Sequence, residues 1–233
     1  MAASPQRVVV LSGAGLSAPS GVPTFRGAGG LWDGHRVEDV ASPDAWAVAP
    51  AVVRRFYDER RLALEGIQPN DGHRALVRLQ RAWGPENVAL VTQNIDGLLT
   101  LAGAPEVVEM HGAIRNLRCE ADLAHPRVPV AGEQDPAVRC AVCDAALRPD
   151  IVWFGERPFH LDDIARKLAT CAVFVSVGTS GVVYPAAGFV KIARHFGARC
   201  VEVNPDPVGG PFDEVRAESA DTALPRLVDE LLA

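Results

Sequence analysis

Long apolar runs are missing from this chain of 233 residues. Nothing reaches the ~18 consecutive apolar residues of a membrane span, so no span is expected. The start, MAASPQR, has no apolar stretch behind it suited to a signal peptide, and a cytoplasmic protein is expected. A basic surplus is missing too. The formal net charge of −6 argues against a binder of phosphate backbones, so neither nucleic acid nor membrane is an expected partner. The cysteines number five, an odd count, and two form a Cys-x-x-Cys; without a secretion signal this favours thiols or metal over disulfides. There is no internal repeat and no low-complexity segment. Tyrosine is scarce, with two in the chain, which makes the placing of Tyr57 three residues before Arg60 worth reading.

What is present suits an α/β domain with a small insert. Apolar residues make up 48% of the chain, ample for a core. Short apolar runs at 7–11, 88–91, 107–108, 172–177 and 200–203 each end in a polar or glycine turn and read as buried strands. Helical patterns lie among them at 51–65, 73–83, 161–169, 184–196 and 225–232. Strands alternating with helices predict a Rossmann-like, doubly wound, mostly parallel sheet. Ligands bind such sheets at the carboxyl ends of the strands, so the five polar turns should converge on one crevice. Residues 27–66 read as an insert, glycine-rich and then helical. Residues 113–158 hold three cysteines and five prolines with little helical period, and read as a small zinc-ribbon-like insert.

Several clusters carry chemistry. Gly13-x-Gly15-x-x-Ala18 after a strand fits a dinucleotide turn, though no second strand ending in an acid follows at the Rossmann spacing. Instead comes a loop with Phe25, suited to covering a reactive cofactor face, and Arg26, suited to a phosphate or to holding the loop. Gln93-Asn94-Ile95-Asp96 can bond sugar hydroxyls or a carboxamide, or can simply cap a helix. His111, at a strand end, suits a general base; alone it also suits a hydrogen-bonded core position. Cys119-x-x-Asp122 and Cys140-x-x-Cys143, seventeen residues apart, come close to a zinc-ribbon spacing, or to a decayed one that folds without metal. Tyr57 and Arg60 share a helical face with Val53 and Leu64, in a helix framed by Pro50 and Gly66. An arginine on an apolar stripe either snorkels or meets a buried anion, while a solvated charge suits Arg61 better.

Taken in order, Gly-Ala-Gly-Leu-Ser at 13–17, Thr-Phe-Arg at 24–26, Gln-Asn-Ile-Asp at 93–96, His-Gly at 111–112, Trp-Phe-Gly-Glu at 153–156 and Gly-Thr-Ser at 178–180 resemble the sirtuins over nearly the entire chain. The Tyr-x-x-Arg pair resembles class III, with its bacterial CobB-type and mitochondrial desuccinylase-type members. The resemblance implies one catalytic domain over 1–233 that uses NAD to remove acyl groups from protein lysines. It implies that Gly13, Ala14, Gly15, Ser17 and Arg26 hold the pyrophosphate side, with Phe25 over the cofactor. Gln93 and Asn94 would bond the nicotinamide ribose, and Ile95 and Asp96 the carboxamide. Gly178, Thr179, Ser180 and Asn204 would line the adenosine side, with Ala220 near the adenine. His111 would be the base, with Asn94 beside it. Val152, Phe154, Gly155 and Glu156 would clamp the substrate backbone. Tyr57 and Arg60 would read an acyl carboxylate, and Ala41 would leave room for a longer acyl chain. Cys119, Cys140 and Cys143, with Asp122, would hold structural zinc. Thr24 stands where many sirtuins have aspartate. A mono-ADP-ribosyltransferase on the same NAD site, or a non-enzymatic zinc-ribbon interaction module, are the alternatives.

Overall fold

The structure, a computed structural model, describes residues 4–24 and 36–233. Phe25 and Arg26 lie outside the described residues. Six strands form a parallel sheet: β1 (Val8–Ser12), β2 (Val88–Thr92), β3 (Val108–Glu109), β7 (Val173–Val177), β8 (Arg199–Val203) and β9 (Glu214–Arg216), in the order β3-β2-β1-β7-β8-β9. Between β3 and β7 in sequence, β4 (Gly112–Cys119), β5 (Val128–Pro129) and β6 (Leu147–Ile151) build a separate antiparallel sheet, ordered β5-β4-β6. The helices are α1 (Val37–Val40), α2 (Pro43–Val48), α3 (Pro50–Ala63), α4 (Asp71–Trp83), α5 (Leu98–Leu101), α6 (Leu161–Leu168), α7 (Phe189–His195) and α8 (Ala220–Leu232).

The central strands are continuous apolar runs because both of their faces are covered. Val8, Val10, Val88, Leu90, Val173 and Val175 turn to one side, where α4 and α8 supply Leu76, Leu79, Leu224 and Leu227. Val9, Leu11, Ala89, Val91 and Phe174 turn to the other, against Ile164, Leu168, Phe189 and Ala193 of α6 and α7. The period-two alternation of a strand assigns each residue to its layer. From β1 the chain winds outward to β2 and β3, then returns to β7 on the opposite side. The strand order therefore reverses between β1 and β7, and a crevice opens at their carboxyl ends.

Two helices depart from expectation. The predicted helix over 184–196 is shortened: residues 186–188 form a tight 3-10 turn and α7 starts at Phe189. The helix predicted to start at Pro225 starts at Ala220 and carries Pro225 inside it, giving up one backbone bond there. Packing outweighs that loss. Ala220, Ala223 and Leu224 are buried against α4, and a Cβ at Gly72 would sit 2.9 Å from the Ala220 carbonyl oxygen. The short elements α1, α2, α5 and β9 were not foreseen; each is too brief to show a period.

Among the described residues, no helix is long and apolar enough to cross a membrane.

Candidate active site

The turns after β1 and β7 meet at the switch point. Gly13 N–H donates to the Val177 carbonyl at 2.9 Å, and Gly15 N–H to Gly178 at 3.0 Å. A Cβ at Gly15 would lie 2.6 Å from the Gly178 Cα, and Gly178 itself has φ +57. Both glycines are thus needed for turn-to-turn contact, independently of any ligand. Of the N–H groups of residues 13–17, that of Ala14 is left without an acceptor among the described residues. A strand-end turn offering a spare N–H is what a phosphate oxygen needs.

Beneath this turn lies a polar relay. The Asn70 backbone N–H donates to His73 Nδ1 at 3.3 Å, within a capping box at the start of α4. An accepting Nδ1 leaves the proton on Nε2, which faces Ser17 Oγ at 3.4 Å. Ser17 Oγ donates to Asp96 Oδ2 at 2.7 Å and accepts from Asn94 Nδ2 at 3.2 Å. Asn94 Nδ2 also donates to the Gly13 carbonyl at 3.0 Å, locking the β2 turn to the β1 turn. Burial draws His73 down to about 4, so it stays neutral in this relay. Burial pushes the Asp96 carboxyl up, against the pull of the Leu98 N–H and the Ser17 hydroxyl. Ser17 is fully buried, and its hydroxyl donates to Asp96 while accepting from Asn94. Asp96 also caps α5 through the Leu98 N–H at 2.8 Å, so the capping reading holds for it but not for Asn94. His73 was not foreseen; its signal was Asn70-x-x-His73, a capping box with histidine in place of an acid.

His111 stands just after β3. Its Nδ1 lies 3.1 Å from the Gln93 carbonyl oxygen. A carbonyl only accepts, so Nδ1 carries the proton and Nε2 keeps its lone pair. Burial pulls this imidazole below its ordinary 6.5, against the Gln93 carbonyl. At neutral pH it is an uncharged base. Its own carbonyl accepts from Val152 N–H at 3.0 Å, tying it to the segment after β6. Across the crevice, Asn204 Nδ2 donates to the Thr179 carbonyl at 3.1 Å and holds the Gly178-Thr179-Ser180 turn. Ala220 is buried at the start of α8, so its side chain belongs to the core.

Behind His111, a third apolar cluster gathers Ala41, Phe56, Tyr57, Ile114 and Trp153, with Ile95 at its edge. The Tyr57 hydroxyl accepts from Trp153 Nε1 at 3.0 Å. Arg60, one turn along α3, stacks over the Phe56 ring at 3.2 Å and donates to the Phe56 carbonyl at 2.9 Å. Burial draws its guanidinium down to about 10, which leaves it cationic at neutral pH. Phe154 N–H donates to the Ala41 carbonyl at 3.0 Å, and the Phe154 side chain is exposed. Gly155 follows at φ +89, a conformation that favours glycine. Glu156 does not face outward. It accepts from Arg148 at 2.8 and 2.9 Å, from Arg118 at 3.1 Å and from Trp153 N–H at 2.8 Å, so its carboxylate braces the segment from within. Arg61 also reverses expectation. It is 1% exposed, paired with Asp58 at 2.6 Å and donating to the carbonyls of Ile114 at 2.8 Å and Gly132 at 2.6 Å. Its helical position points it at the small sheet, and the half-buried arginine is Arg60.

The small sheet ends in four converging donors. Cys119, His125, Cys140 and Cys143 place their ligand atoms within 4.8 Å of one another. Cys119 and Cys143 sulfurs are 3.5 Å apart, and His125 Nδ1 is 3.4 Å from Cys140 Sγ. Donors about 2.0–2.3 Å from a tetrahedral zinc stand roughly 3.3–3.8 Å apart, so the set fits structural zinc. The fourth donor is His125, which corrects Asp122. The Asp122 carboxylate caps Ala124 N–H at 2.8 Å and lies 3.7 Å from His125 Nε2, on the outer side of the imidazole. In a Cys-x-x-Asp reading the nearer acid hides the histidine three residues on.

Comparison with known proteins agrees with this geometry. Residues 13–185 match the Sir2 family model. Over 232 residues the chain is 45% identical to an NAD-dependent protein deacylase of Salmonella typhimurium, covering 97% of this chain and 84% of that one. Over 238 residues it is 44% identical to an NAD-dependent protein deacylase of Vibrio cholerae, covering 98% and 94%. A solved complex of a Sir2 homolog with NAD is similar at a TM-score of 0.86 and 36% identity, covering 97% of this chain and 89% of that one. With its parallel sheet, strand-end turns and ordered motifs, the chain belongs to the Sir2 family.

Proposed function

We propose that this chain is an NAD-dependent protein-lysine deacylase acting on acetyl-lysine and on the dicarboxylic succinyl- and malonyl-lysines. The carrying observation is His111, with its proton fixed on Nδ1 by Gln93 and its Nε2 free in the crevice beside the Asn94–Asp96 relay. The spare Ala14 N–H and the turns at Gly13–Ser17 and Gly178–Ser180 fit the diphosphate and adenosine of a dinucleotide. Bound NAD would supply a ribose carbon that exchanges nicotinamide for the acyl carbonyl oxygen, and a neighbouring 2′-hydroxyl oxygen that ends up carrying the acyl group. Gln93 and Asn94 would orient that ribose, and Asp96, held by Ser17, would take the carboxamide. His111 Nε2 removes a proton from a ribose hydroxyl, a positioned-base effect of about 10²–10⁴ in rate. With one water consumed, the products are free lysine, nicotinamide and 2′-O-acyl-ADP-ribose.

Acyl choice is set behind the base. A carboxylate entering an apolar pocket needs a cation and donors. Arg60 supplies the cation, Tyr57 the hydroxyl, and the small Ala41 the room. The residues Cys119, His125, Cys140 and Cys143 would hold zinc as a structural brace, away from the chemistry. The test is incubation with NAD and matched acetyl-, succinyl- and malonyl-lysine peptides, following nicotinamide and acyl-ADP-ribose by mass spectrometry. Peptide-dependent release of both products is expected. ADP-ribose retained on protein, with no acyl-ADP-ribose, would point to an ADP-ribosyltransferase.

A further inference from the structure

We infer that Trp153 is a positioning residue for acyl selectivity: its indole N–H aims the Tyr57 hydroxyl proton at the acyl carboxylate. The inference rests on the deacylase reading above, with Tyr57 and Arg60 as readers of a short dicarboxylic acyl group.

An indole N–H can only donate. Trp153 Nε1 lies 3.0 Å from the Tyr57 hydroxyl oxygen, so that oxygen accepts there. A Tyr57 O–H turned to the same side would set two hydrogens face to face. The tyrosine proton is therefore turned away from Trp153 and is left to donate. Without the indole, a phenol can place its proton on either side of the ring plane's axis, and half of the choice would be wasted. Donation matters because a carboxylate is an acceptor only; a hydroxyl presenting a lone pair would repel it.

The indole is itself held by its neighbours. The Arg148 guanidinium stacks 3.2 Å over its ring, and the Trp46 ring lies 5.8 Å away at 41°. Arg148 is fixed by Glu156, which also accepts from the Trp153 backbone N–H at 2.8 Å. Arg118 Nη2 bonds the same carboxylate at 3.1 Å, next in sequence to Cys119 of the metal cluster. Trp153 is 2% exposed, so it does not itself meet the acyl group through solvent-facing surface. Glu156 and the two arginines serve as its frame. This gives the inward-facing Glu156 a role that substrate contact does not.

The test is a double-mutant cycle on the ratio of kcat/KM for succinyl- over acetyl-lysine peptide. That ratio is blind to the fraction of enzyme folded. Tyr57→Phe alone should lower it about tenfold, and Trp153→Phe alone about threefold to tenfold, the range of one hydrogen bond. In the Tyr57→Phe background, Trp153→Phe should lower it no further, since the proton it aims is gone. An unchanged ratio in Trp153→Phe, or the same extra loss in both backgrounds, would overturn the inference. If Trp153→Phe does not fold, benzothienylalanine at 153 keeps the bulk and removes only the N–H, and is read in the same way. Arg60→Met serves as the control on the underlying reading. If it leaves the ratio unmoved, the carboxylate reading fails and takes this inference with it. If it collapses the ratio while the Trp153 variants do not, Trp153 alone is wrongly assigned.

Discussion

The Gln93 carbonyl oxygen, 3.1 Å from His111 Nδ1, decides which nitrogen of that imidazole keeps its lone pair. Burial adds a second constraint by holding the ring below its ordinary 6.5. A general base works in its neutral form, so with His111 in that proposed role a lowered pKa widens the active range on the acid side. The acid limb of kcat/KM should fall with a midpoint below 6.5 and be flat from there through neutrality. His111→Ala should cut turnover by at least about 10² with the fold intact. A well-folded variant with near-normal turnover, or an acid limb centred above pH 7, would remove His111 from the role of base.

His125 and Asp122 make opposite predictions about the metal. His125→Ala removes a donor from the cluster and should lower zinc content well below one per chain, with earlier melting. Asp122→Ala removes a neighbour of the imidazole and should leave stoichiometry near one, at a cost of about 10–100-fold in affinity. Metal analysis of the two purified variants separates the readings. Zinc lost from Asp122→Ala and kept in His125→Ala would restore the aspartate as ligand.

Arg61 is the tie between α3 and the small sheet. Removing it would strand the Asp58 carboxylate and the carbonyls of Ile114 and Gly132. Breaking a buried pair costs about 3–5 kcal/mol. At roughly 2–4 °C per kcal/mol for a domain of this size, Arg61→Met should lower Tm on the order of 10 °C. Asp58→Asn keeps an acceptor for the Gln134 N–H, which now bonds Asp58 Oδ1 at 3.0 Å, and should cost less. A thermal scan in which Arg61→Met matches the parent would make this pair a bystander.

The sheet was legible because buried parallel strands write themselves as apolar runs, and each run ended in its turn. The turn residues were legible because strand ends converge by topology, so Gly13, Asn94 and Gly178 needed no contact map. What the sequence hid were partners across chain distance. The helical wheel sets Arg60 on the apolar stripe and Arg61 beside it, and only the position of β4 decides that Arg61 is the buried one. The inward partners of Ser17, His73 and Asp96, lie 56 and 79 residues away and leave no local signal. The carboxylate partners of Glu156, Arg118 and Arg148, sit on the small sheet and are not readable from local sequence. His125 was masked by a nearer acid. Each is a polar side chain whose contacts are set by tertiary partners rather than by local period.

Arg60 carries the final prediction, because its present contacts must survive or be exchanged when a carboxylate arrives. It now stacks on Phe56 and donates to the carbonyl of that same residue. Burial weakens its hold on the proton, to about 10, and an acyl carboxylate alongside would oppose that shift. Hydrogen bonds to charged groups contribute about 1.5–3 kcal/mol, and a carboxylate buried without its cation costs more. Arg60→Met should therefore lower kcat/KM for succinyl-lysine by roughly 10–10³-fold, at about 1.4 kcal/mol per tenfold. Arg60→Lys should recover only part, because a single ammonium lacks the planar fork. Acetyl-lysine has no carboxylate, so its cleavage should fall far less, and the ratio of the two activities is the quantity to measure. Equal losses on both peptides would make Arg60 a structural brace on α3, and acyl selectivity would then rest on pocket size at Ala41 alone.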